Sequence, residues 1–170
     1  AMQWSLVGSE MCIRDRFTNY IKGSLSYIFE DVNQDTTDFN IDIQDIEGFR
    51  NLYNKSSIVF GATFNNSRPL FTPSSGMLHS ATFKLSGLGF GSDFNYNKLT
   101  VDLRYYQRFL GSVLAHRLKF GSIRSFDDNN FIPVEDRFYA GGTVSVRGWQ
   151  RQLLGPLDSE GDPIGGKSLL

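Results

Sequence analysis

One pattern repeats along the chain. Between Lys98 and Arg108 the side chains Leu99, Val101, Leu103 and Tyr105 alternate with Lys98, Thr100, Asp102, Arg104, Tyr106 and Arg108. That period of two puts successive side chains on opposite faces of a strand. Ile21, Leu25, Tyr27 and Phe29 oppose Lys22, Ser24, Ser26 and Glu30 in the same way, and Ile58, Phe60, Ala62 and Phe64 oppose Ser57, Val59, Gly61, Thr63 and Asn65. Met77, Ala81, Phe83 and Leu85 oppose Ser80, Thr82, Lys84 and Ser86; Leu114, Leu118 and Phe120 oppose Ala115, Arg117, Lys119 and Gly121. The pattern predicts about five strands of about ten residues, longer than the ~5 to 6 usual in globular sheets and close to the ~9 to 11 that cross a bilayer.

One alternating strand fits a soluble sandwich as well as a membrane barrel. The connections separate the two, because membrane barrels pair short turns at one end with long loops at the other. The segment EDVNQDTTDFNIDIQDIEGFRNLY after the first strand is long and NNSRPLFTPSSG is shorter. GFGSDFNYN is less marked, a tight turn follows near Phe109 to Ser112, and the last strand runs into a long segment from Phe126 to Gly166. The expectation is an all-β fold, a partial antiparallel transmembrane β-barrel. Ile58, Phe60, Phe64, Phe83, Leu85, Leu99, Leu103, Leu118 and Phe120 should face lipid, and Lys84, Asp102, Arg104, Arg117 and Lys119 a polar lumen.

Composition narrows the partners. A chain of 170 residues with a formal charge of -1 gives no reason to expect nucleic acid. No run approaches the ~18 apolar residues of a spanning helix. Residues 1–16, AMQWSLVGSEMCIRDR, lack the parts of a signal peptide and resemble a translated sequencing adapter. They are expected to be a non-native segment outside the fold, leaving 17–170 as an incomplete barrel domain. Cys12, the only cysteine, goes with them, so disulfides, cysteine metal sites and cysteine nucleophiles drop out of the remainder.

Little points to chemistry. Glu30 to Glu47 holds seven acids and no base. Asp31, Asn33, Asp35 and Asp42 have calcium-loop spacing, but Thr36 stands where that loop needs Gly and Asp42 where it needs Glu, which favours a solvated acidic loop. His79 and His116 sit on separate strands without a nucleophile motif. No enzyme activity, cofactor or metal is expected. One residue raises a question: in FYAGGTVSVRGWQ, Phe138 to Gln150, Arg147 is the only charge. A lone cation in a small, apolar and aromatic run needs either water or a buried acid.

Taken in order, SRPLFTPSSG, VEDRFYAGGTVSVRGW, LLGP and GDPIGGKSLL resemble the bacterial outer-membrane assembly-factor, or surface-antigen, superfamily of the BamA and TamA type. Pro69, Leu70, Phe71, Pro73 and Gly76 match that family's periplasmic turn, with Ser67 and Arg68 in place of its usual acid and Asn. Arg137, Phe138, Tyr139, Gly141 and Gly142 match its loop approach, and Val146, Arg147, Gly148 and Trp149 its Val-Arg-Gly-aromatic signature.

The resemblance implies that the long loop folds into the lumen and that Arg147 latches onto wall acids carried by strands beyond Leu170. It implies that the strands are five to six of about sixteen, and so that the chain is a piece of the barrel. The intact protein would then fold and insert β-barrel proteins into the bacterial outer membrane without covalent chemistry. Its partners would be membrane lipid, unfolded outer-membrane clients and accessory assembly lipoproteins. The nearest rival is a two-partner secretion pore with the same loop signature. A passive porin would lack that loop, and a soluble β-sandwich binding module would lack the long strands and uneven loops.

Overall fold

The computed structural model describes residues 4–34, 52–87, 92–126, 132–143, 145–157 and 161–170. Their strands form one antiparallel sheet in chain order. The elements are β1 (Trp4–Arg16), β2 (Ile21–Gln34), β3 (Leu52–Asn65), β4 (Gly76–Ser86), β5 (Tyr96–Phe109), β6 (Ser112–Ser125) and β7 (Ser168–Leu169). Each strand pairs with its sequence neighbour, so the sheet is an open section of barrel wall. β2 to β6 are the predicted strands, and β3 begins earlier than the alternation alone suggested, which brings Tyr53 and Lys55 into the sheet.

β1 corrects one expectation. Residues 1–16 were expected to stand outside the fold, yet from Trp4 they pair with β2 over its full length. The edge of β2 offers a row of backbone donors and acceptors that an adjacent extended segment can satisfy. The pairing also keeps the alternation, with Met11 opposite Tyr27 and Ile13 opposite Leu25. β7 had no pattern of its own. It is held by pairing Ser168 with Ser122 and Leu169 with Gly121.

The register sorts the side chains. Phe60 lies opposite Leu25 and Phe83, Phe83 opposite Leu99, and Leu103 opposite Leu118, which makes one continuous apolar face. All nine residues expected to face lipid share it. Lys84, Asp102, Arg104, Arg117 and Lys119 share the other face, where Lys84 is opposite Lys98 and Asp102 opposite Lys119.

Burial inverts the globular order. Phe60, Phe83, Leu99 and Leu118 are exposed, whereas Lys55, Ser57, Ser86, Asp102 and Asp136 are buried with Tyr53, Tyr96, Ile123 and Ile132. Toward the start of β5 the polar face is covered because the chain after β6 folds back over it, whereas Asp102 is covered by Arg104 and Arg117. At the other end of the strands the turns are tight. Arg68 bridges Ser75 between β3 and β4, and Leu110 and Gly111, both at positive φ, close the two-residue turn between β5 and β6.

Candidate functional site: the loop docked on the polar face

The segment between β6 and β7 returns to the sheet through a narrow base. After Ile132, a short 3-10 turn at Val134–Asp136 aims its acids at the wall. Phe138 then bridges Gly166, the two amides donating to each other's carbonyls at 2.9 and 2.8 Å. Arg137 ties the two legs together by donating to the carbonyls of Ile132 and Ile164 at 3.0 and 3.1 Å, and the Tyr139 hydroxyl donates to Val134 at 2.8 Å. This side-chain scaffolding matters because the base makes few backbone pairs of its own.

Asp136 is the anchor, only 7% exposed. Its carboxylate pairs with Lys55, accepts from the Tyr96 hydroxyl and accepts from Lys84 at 3.0 Å. Lys98 donates to its backbone carbonyl at 2.6 Å. Beside it, Glu135 accepts from the Tyr53 hydroxyl at 2.7 Å and pairs with Lys55 at 3.4 Å, and Glu30 pairs with Lys55 at 3.3 Å.

Three acids thus face three lysines. The wall supplies Lys55, Lys84, Lys98 and Glu30; the loop supplies the two acids that complete the balance. Burial by itself would push the Asp136 carboxyl up, but Lys55 and Lys84 outweigh it and hold the group well below the usual carboxylate range.

Shape reinforces charge. The Phe138 ring lies against Gly121 of β6, where any Cβ would overlap the ring, and Lys98 sits over the same ring at 4.8 Å from its centroid. Gly141 has a φ of +111°, and a Cβ there would collide with the carbonyl oxygen of Gln150. Both the conformation and the space demand glycine.

A second cluster lies nearer the turns. Asp102 accepts from Arg104 in a two-pronged arrangement, both contacts at 3.0 Å, and from Arg117 at 2.7 Å. Arg104 and Arg117 are directly opposite each other across β5 and β6, and Asp102 offsets their repulsion. Lys119 shares this face.

The signature residues sit elsewhere. Val146, Arg147, Gly148 and Trp149 form an exposed tip, closed by the Gly142 amide donating to the Trp149 carbonyl at 3.0 Å. Arg147 has no hydrogen bond or ion pair among the described residues. Arg137, Phe138, Tyr139, Gly141 and Gly142 are brought together in the base, whereas Pro69, Leu70, Phe71, Pro73 and Gly76 form the distant β3–β4 turn. Asp35 and Asp42 of the calcium-loop spacing lie outside the described residues.

Sequence reasoning missed Lys55, Tyr53, Tyr96, Glu135 and Asp136. A usable signal existed. Lys84 and Lys98 both lie on polar faces of neighbouring strands, and like charges that meet across strands call for an acid. VEDRF supplies two.

Similarity to known proteins follows the same geometry. The family described as "Omp85 superfamily domain" matches residues 6–170. Sorting and assembly machinery component 50 homolog A of Xenopus laevis is 32% identical over 115 residues, 67% of this chain and 24% of that protein. Outer membrane protein assembly factor BamA of Nitratidesulfovibrio vulgaris is 30% identical over 95 residues, 55% of this chain and 12% of that protein. The chain therefore spans a quarter or less of these curated relatives. The crystal structure of BamA from Haemophilus ducreyi lacking POTRA domains 1-3 superimposes with a TM-score of 0.78 at 19% identity, over 98% of this chain and 36% of that one.

Proposed function

The chain belongs to the Omp85 superfamily, and from that premise we propose that it is barrel wall and lumen loop of a factor that folds and inserts β-barrel proteins into a bacterial outer membrane. The apolar face meets lipid and the polar face lines the lumen. Unfolded outer-membrane proteins are the clients, accessory lipoproteins are further partners, and no step needs covalent chemistry. The likeness to a protein named as an outer membrane protein assembly factor supports this reading. Residues 1–16 are read as adapter-derived, occupying in β1 the place of a native strand.

The observation that carries the mechanism is the docking of Asp136 on Lys55 and Lys84. A loop held at its base by buried charge and presenting an exposed tip is positioned to reach another part of the barrel. Its base keeps the tip at a fixed height over the wall, so the tip arginine can find wall acids on strands beyond this chain. Arg147 suits that role because a guanidinium fork holds a carboxylate at two points.

The test uses the full-length protein carrying this segment, reconstituted in vesicles with an unfolded client barrel. Asp136→Asn is expected to slow client insertion, and Asp136→Glu to restore part of it. Wild-type insertion by Asp136→Asn, with the protein itself folded, would remove the docked loop from the mechanism.

A further inference from the structure

Two groups at the docked base work against docking. The first is Glu30, which lies directly opposite Lys55 across β2 and β3, so that their pair at 3.3 Å belongs to the wall alone. The loop brings Glu135, at 3.4 Å, and Asp136 to the same lysine. Lys55 is then 3% exposed with three carboxylates around it. The attraction between Glu30 and Lys55 is present whether or not the loop is there. What docking adds for Glu30 is the repulsion of two more acids, in a site with little water to screen it.

The second is Ser57. It follows Lys55 on the polar face of β3 and lies directly opposite Ser86, which is in turn opposite Tyr96, while Lys84 is opposite the neighbouring Val59. Lys55, Lys84 and Tyr96, the groups that hold the Asp136 carboxylate, therefore enclose it. Ser57 is 2% exposed, and its hydroxyl has no hydrogen-bond partner among the described residues. A polar face open to the lumen would give that hydroxyl water. The loop takes the water away and puts neither donor nor acceptor in its place, which costs the hydroxyl its full hydration.

We propose that Glu30 and Ser57 limit the strength of the Asp136 anchor and make the loop base a strap that releases from, and returns to, a wall that stays intact. When the base lifts, Lys55 keeps Glu30, the Ser57 hydroxyl regains water, and so do Lys84 and Lys98, which face each other across β4 and β5. Asp136 supplies the hold and the other two set its limit. This rests on the reading that the loop docks through Asp136. The arrangement reverses the usual rule for a buried ion pair, in which removing one partner loosens the structure around the other. Here, losing the Glu30 charge leaves the wall more positive toward the loop acids and tightens the base.

The experiment follows amide hydrogen exchange in the full-length protein reconstituted in phosphatidylcholine vesicles. It is read at Phe138 and Gly166, whose amides are protected by the bridge at the base, with the peptides of β5 as the reference for an intact sheet. Glu30→Gln should slow exchange at the bridge by about two- to fivefold. Ser57→Ala should slow it by about fivefold or more. Asp136→Asn should speed it in the same assay, and β5 should be unchanged in all three variants. Faster or unchanged exchange in either Glu30→Gln or Ser57→Ala, with Asp136→Asn still speeding it, would overturn the strap and leave the docked base standing. Unchanged exchange in Asp136→Asn would remove the docking through that residue, and the strap with it.

Discussion

The base and the tip of one loop solve the problem of a charge near apolar neighbours in opposite ways. Asp136 at the base is desolvated and ringed by Lys55, Lys84 and Tyr96, all carried by strands within this chain. Arg147 at the tip stays in contact with solvent and has no partner among the described residues. The polarity is also reversed. At the base the loop brings acids to a basic wall, whereas the tip brings a base to acids that, in our proposal, lie on other strands. Such a loop has one end fixed by its own sheet and one end free to engage. A buried pair broken on one side costs far more than an exposed charge removed.

That contrast can be broken most forcefully at Asp136. Asp136→Asn leaves three lysines against one loop acid and Glu30, and should destabilise the docked base by about 3 to 5 kcal/mol, less any hydration of the lumen. It is read by denaturant unfolding of the full-length protein and by protease access near Phe138. The pH dependence follows in sign. A carboxyl held low in the folded state contributes stability that is fully present above its ordinary titration range and lost as pH falls through its depressed value. Docking should therefore persist at mildly acidic pH and fail only in strong acid. Release already at pH 5 to 6, on the order of one unit above the ordinary carboxyl range, would show that Asp136 is not the anchor.

The next effect probes which side of the wall the base occupies. Leu103→Arg, near the middle of the apolar face, should cost about 2 to 4 kcal/mol in membrane, while Ser80→Arg, opposite Asp102 on the polar face, should cost little. Equal folding defects would undo the assignment of faces. Smaller again is the steric term. Gly121→Leu must displace the Phe138 ring and should cost about 1 to 3 kcal/mol, loosening the base without touching its charges. Smallest is the tip: Arg147→Ala should change base stability by no more than ~0.5 kcal/mol while impairing client insertion. A large loss of base stability would merge the two regions into one site.

Legibility in the sequence followed range. Alternation is a local signal, so β2 to β6 and the composition of both faces could be read from residues two apart. β7 is two residues long and exists only through its partner, and β1 pairs because an edge was open. The signature around Arg147 is legible because its charge is isolated in sequence. Asp136 is not, since VEDR looks like a solvated run until the fold sets it against lysines 38 to 81 residues away. Tyr53 and Lys55 are hidden because the clear alternation of β3 begins only at Ser57. Register, not composition, assembled the site, and register is what a single sequence encodes least directly.

If Asp136 and the wall lysines act as one coupled unit, a double-mutant cycle between Asp136→Asn and Lys84→Gln in the full-length protein reads that coupling. Unfolding free energies of the wild type, both single variants and the double variant should give a coupling of about 1 to 3 kcal/mol. Additive losses, with coupling within ~0.3 to 0.5 kcal/mol of zero, would contradict the docking of the loop through this pair.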